Sequence, residues 1–119
     1  MTAAEKIVVE QAPDADSPFI AVMKTWARWM TLKDDIRRSA GLSHPQDVKE
    51  FMSCGEAVDA LVHDRVVLTE HQRWAVKRVF GVASVWRYPD VSLPDTFAAA
   101  EKELTPRLIK NVATRRYFN

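Results

Sequence analysis

Few side chains in this 119-residue chain could make or break a bond, and none stands at a spacing that such chemistry uses. His44, His63, His71 and Cys54 are the borderline and soft metal ligands. No pair of them has the CxxC or HxxxH spacing that brings two donors to one ion. Asp59 and His63 stand four apart, which puts both on one side of a helix; a hydrogen bond at a helix end is the simpler expectation. Cys54 has no base beside it in the sequence, and a thiol without a base or a positive surrounding stays unreactive. It is expected to be a buried, inert side chain. Ser17, Ser43 and Ser92 each precede a helical pattern and are expected to cap helices. The carboxylate pairs Asp34-Asp35 and Glu101/Glu103 sit too close in sequence to face one another across a cleft. With three glycines and no GxSxG, P-loop or GxGxxG motif, a phosphate-cradling loop is not expected. The chain is therefore expected to be no enzyme and to carry no cofactor and no metal.

Charge is more informative. The net value is +1, but residues 1–16 hold Glu5, Glu10, Asp14 and Asp16 against Lys6, while residues 107–119 hold Arg107, Lys110, Arg115 and Arg116 with no acid. A basic end suggests an anionic partner, although cations also favour helix C-termini for local reasons. Ser92–Asn119 reads as two helices joined at Thr105-Pro106, the second one basic. In a helix-turn-helix, Asp95–Leu104 would be the packing helix. The second helix would then present Arg107, Lys110, Asn111, Thr114 and Arg115 to DNA, Arg and Asn toward base edges and Lys and Thr toward phosphates. A plain helical hairpin carries the same pattern.

The elements that would position these residues follow from apolar spacing. Ser17-Pro18 opens a helix in which Phe19, Val22, Met23, Trp26, Trp29 and Met30 recur at three- and four-residue steps. The pattern restarts at Thr31 with Asp34 in a capping-box position, extends through Leu32 and Ile36, and stops at Gly41. A second helix starts near Ser43-His44-Pro45 and ends at Gly55. A short one follows over Glu56–Val62. Thr69-Glu-His-Gln72 is a capping box, and Gly81 stops the helix it opens. Val82–Pro89 reads as an extended connector that lays Trp86 or Tyr88 onto the body; Ile7–Val9 is the sole stretch on offer to pair with Val82–Tyr88. Ser92 caps the helix that follows, with Pro94 in its first turn. The expectation is an all-α fold: one compact domain over 18–119, built of five to six short helices, with a helix-turn-helix-like 92–118, after a flexible acidic lead over 1–17.

One cysteine permits no internal disulfide. The apolar runs are too short to cross a bilayer, and the N-terminus lacks the basic start and apolar core of a signal peptide. A cytoplasmic protein with no membrane contact is expected. Four tryptophans are many for this length. Trp26 with Trp29, or Trp86 with Tyr88, would anchor a partner if exposed. The alternative to DNA binding is therefore a small protein-binding module, such as a phage-encoded modulator of a host protein, or a homodimer.

Thr69-Glu-His-Gln-Arg-Trp-Ala-Val-Lys-Arg-Val-Phe-Gly81 resembles the opening helix of the sigma-factor region 4 type of module. Trp26-Ala-Arg-Trp29-Met30 is similar to the start of small phage late-gene antitermination proteins of the Q type. The resemblance covers residues 19–118. It implies a compact helical body, a helix-turn-helix within Ser92–Phe118, and a role in transcription in the host cell cytoplasm. It further implies a DNA site contacted by Arg107, Lys110, Asn111 and Arg115, and docking on RNA polymerase.

Overall fold

A computed structural model of the chain describes residues 16–32 and 44–119. The acidic lead, the Ile7–Val9 pairing and the restart of the first helix between Asp34 and Gly41 lie outside the described residues. The described part is all-helical: α1 (Pro18–Thr31), α2 (Pro45–Val62), α3 (Glu70–Val79), α4 (Leu93–Lys110) and a 3-10 turn over Arg115–Phe118. It holds four α-helices where the sequence pattern suggests five or six, because two expected breaks do not occur.

The helix starts lie close to where the side-chain chemistry puts them. Ser17 Oγ accepts from the Ile20 N–H at 3.2 Å and Ser92 Oγ from the Asp95 N–H at 3.3 Å. Thr69 and Gln72 close a reciprocal capping box, at 2.9 and 3.2 Å. The cap of α2 is His44 rather than Ser43; its Nδ1 accepts from the Gln46 N–H. Gly81 adopts a φ of 78°, the left-handed conformation that ends helices cheaply only at glycine.

Gly55 does not end a helix. It lies buried inside α2, and a Cβ there would overlap the indole of Trp29. A glycine inside a helix costs about 1 kcal/mol relative to alanine, offset here because α1 can press its largest side chain onto the α2 backbone. Pro106 does not make a turn either. α4 runs through it. Proline in a helix interior costs about 3 kcal/mol, since it cannot donate to the carbonyl four residues back and crowds it. On the other side of the balance, Ala100, Leu104 and Leu108 keep helical spacing across the proline and are fully buried. Two buried leucines contribute about 1.5–3 kcal/mol each, and a break at Thr105 would move Leu108 out of register. The Glu103 carbonyl, one turn before the proline's successor, accepts from the Arg107 guanidinium at 2.8 Å.

α1 packs along α2 and α3 along α4; α2 also meets α4, and the 3-10 turn touches both α1 and α4. One core joins them, built from Phe19, Val22, Met23, Trp26, Phe51, Val58, Leu68, Val76, Leu104 and Leu108 among others. Phe19, Phe80 and Phe97 form a three-ring cluster with centroids 5.7–6.4 Å apart, tying the start of α1 to the end of α3 and the first turns of α4. The 82–89 connector is irregular, with no strand among the described residues. Tyr88 meets α3, its hydroxyl donating to Glu70 at 3.0 Å.

Candidate functional site

The C-terminal basic end is the last turn of α4 plus the 3-10 turn, not a separate second helix. Lys110 and Arg115 are exposed and form no ion pair among the described residues. Arg107 lies beside Glu103, with its guanidinium 3.5 Å from the carboxylate. Asn111 and Thr114 are not available to a ligand in the way a recognition helix requires. The Asn111 amide oxygen accepts from the Ala113 N–H at 2.8 Å. Thr114 is fully buried, and its hydroxyl donates to the Leu108 carbonyl at 2.6 Å. Both side chains shape the chain reversal after α4, a local use typical of Asn and Thr at helix ends. The expected set of five DNA contacts therefore becomes three cations, with Asn111 and Thr114 corrected to structural roles.

Arg116 belongs to a different environment. It stacks over Tyr117, 5.0 Å from the ring centre, and donates to the Ala113 carbonyl at 3.0 Å. With Thr25, Arg28, Asp47, Glu50 and Phe51 it lines a cleft of 240 Å³. That cleft carries both signs of charge, so it does not extend the basic surface. Behind it, Tyr117 and Thr25 share a hydrogen bond of 2.9 Å. Cys54 is fully buried. Burial pushes its thiol above the ordinary value, against a smaller opposing pull from Arg116 and the Tyr117 hydroxyl. A thiol held neutral in this way is a poor nucleophile. Burial likewise raises the Tyr117 phenol.

The tryptophans divide into two pairs. Trp26 is fully buried and Trp29 is 8% exposed, so neither can anchor a partner. The Trp26 indole N–H donates to Asp59 at 3.2 Å. Asp59 also lies 3.2 Å from His63 Nδ1. The Asp59–His63 proximity that the spacing suggests is thus a helix-end contact, and its carboxylate serves a buried donor that the sequence pattern does not reveal. Trp86 and Tyr88 are half-buried. The Trp86 indole donates to the Val91 carbonyl at 3.0 Å and its ring meets Tyr88 edge-on at 5.2 Å. Tyr88 in turn meets His71 at 4.4 Å.

Sequence spacing misses two groups. Trp74 is half-exposed between α3 and the connector, with two cations over it: Lys77 Nζ lies 4.9 Å and the Arg87 guanidinium 5.0 Å from its ring centre. The alternation of Trp86, Arg87 and Tyr88 was the available signal. Arg73 reaches back to the Val62 carbonyl at 2.9 Å and fastens α3 to the end of α2. Among the described residues, no three His, Cys, Asp or Glu side chains converge on a point that could hold a metal ion. No described helix is long and apolar enough to cross a membrane.

No family model, curated protein or solved structure matches the chain.

Proposed function

We propose that the chain is a non-enzymatic transcription regulator of the phage antitermination type, which holds DNA by its phosphate backbone through the C-terminal basic end. The observation that carries the DNA contact is the acid-free stretch after Glu103, with Arg107, Lys110 and Arg115 at the end of α4 and the start of the 3-10 turn. The transcriptional role and a contact with RNA polymerase rest on the resemblance of the capped helix Thr69–Gly81 to the opening of a sigma region 4 module. Continuity of α4 through Pro106 removes the separate recognition helix, so the contact is one of charge with phosphate rather than with base edges. Binding is then insensitive to sequence and sensitive to salt. Three phosphate contacts correspond to a slope of about −2.7 in log affinity against log salt. Fluorescence anisotropy with a labelled duplex should give a slope of that order. Replacing Arg107, Lys110 and Arg115 together with alanine should flatten it and leave the helical circular dichroism unchanged. A triple variant that binds like the parent would refute the reading.

A further inference from the structure

A second surface lies apart from the basic end. α3 and the connector that follows it enclose a groove of 290 Å³ lined by Trp74, Val82, Ala83, Ser84, Val85 and Arg87. Three features give it the character of a receptor. Its floor is aromatic, with Lys77 and Arg87 both poised over the Trp74 ring. Its edge is open: Ser84 and Val85 form no hydrogen bond with any described residue, and Val85 is 62% exposed. Its cations form no ion pair: none of Lys77, Arg78 and Arg87 has a carboxylate within salt-bridge distance among the described residues. Partial burial also makes Lys77 a weaker base than an exposed lysine. Burial, and then the neighbouring Arg73, lower its affinity for a proton, and Asp59 only partly restores it.

We propose that this groove docks an extended acidic segment of a partner protein. Its backbone would hydrogen-bond to the open N–H and C=O groups of Ser84 and Val85, and its carboxylates would meet Lys77 and Arg87 beside Trp74. Hydrogen bonds to the backbone would supply affinity, and the charges on the side chains selectivity. An exposed Arg87 and a half-buried Lys77 around an aromatic floor match glutamate or aspartate alternating with a small apolar residue. Nucleic acid fits less well, because a base stacking on Trp74 would have to displace cations that already lie over the ring, whereas a carboxylate meets them where they stand. The surface is independent of the DNA-holding end, so either proposal can fail alone.

The test is anisotropy with the full chain and three labelled probes: a twelve-residue peptide alternating glutamate and valine, the same peptide with lysine for glutamate, and a twelve-nucleotide oligothymidylate. The acidic peptide should bind and the lysine peptide should not. Arg87→Glu should weaken the acidic peptide at least tenfold. Val85→Pro, which removes the backbone donor at the open edge, should weaken it several-fold. Circular dichroism checks that each variant folds, and Arg87→Glu decides the question alone if the proline disturbs the connector. Arg115→Ala should leave acidic-peptide binding unchanged and can weaken only the oligothymidylate. Absence of acidic-peptide binding overturns the proposal. So does binding that survives Arg87→Glu, or an oligothymidylate that binds more tightly than the peptide and is lost with Arg87→Glu.

Discussion

Gly55 and Asp59 show how single residues fix this fold without taking part in any reaction. Asp59 accepts from the Trp26 indole, which is otherwise sealed in apolar surroundings, and a buried donor without a partner costs about 1–3 kcal/mol. Gly55 acts by the absence of a side chain. The Trp29 ring occupies the space a Cβ would take, and Trp29 is a bulky ring held in the core rather than the loose end of a flexible chain. Gly55→Ala therefore cannot be absorbed by a small rotation, even though alanine is the better helix former by about 1 kcal/mol. Overpacking of this kind costs about 1–3 kcal/mol. Urea unfolding followed by circular dichroism should show a net loss of stability in the variant, together with a changed Trp29 environment in near-ultraviolet dichroism. A gain in stability would mean that helix propensity, not the close approach of α1, governs this position.

At the scale of elements the same contest decides α4. If Thr105-Pro106 were a turn, proline would favour it and alanine would weaken it. In a continuous helix, alanine restores the donor to the Lys102 carbonyl and relieves ring crowding. Pro106→Ala should therefore raise stability by about 1 kcal/mol or more and increase the helical signal at 222 nm; a fall in both would restore the turn. This helix also marks the boundary of what the sequence could reveal. Ser17, Thr69 and Ser92 cap helices as their chemistry requires, because capping is decided within four residues. The apolar stripe of α1 and the stop at Gly81 are equally local. Gly55 and Pro106 were misleading because each is a breaker by intrinsic preference, and contacts distant in sequence overrule that preference. For Gly55 the contact is Trp29 on another helix; for Pro106 it is the burial of Leu104 and Leu108. The site was legible to the same degree. The basic composition of the C-terminus is visible in the sequence, but the capture of Asn111 and Thr114 by the chain reversal depends on where α4 ends. The cations over Trp74 depend on how the connector folds back onto α3.

The whole molecule is closed by its C-terminus. The 3-10 turn lies against both the first and the last helix, and the Tyr117 hydroxyl bonds to Thr25, ninety-two positions earlier in the chain. Tyr117 and Phe118 are half-buried against the core, so together they contribute about what one fully buried aromatic side chain does, 1.5–3 kcal/mol. The Thr25 hydrogen bond contributes about 1 kcal/mol more. The turn also shields Cys54, whose thiol lies near the Tyr117 hydroxyl and feels the charge of Arg116. Stability and thiol accessibility should therefore change together when the clasp is removed. Ending the chain after Thr114 should cost about 2–4 kcal/mol in urea unfolding. It should also let Ellman's reagent reach Cys54 under native conditions, where the intact chain reacts only as fast as it opens. Tyr117→Ala should reproduce most of both effects while leaving Arg115 in place, which separates the clasp from the DNA-holding charge. Because a single core joins all four helices, the intact protein should unfold in one transition, with tryptophan fluorescence and circular dichroism sharing a midpoint. If truncation leaves both the midpoint and the thiol rate unchanged, the C-terminal turn is an appendage and the four helices alone hold Cys54 in place.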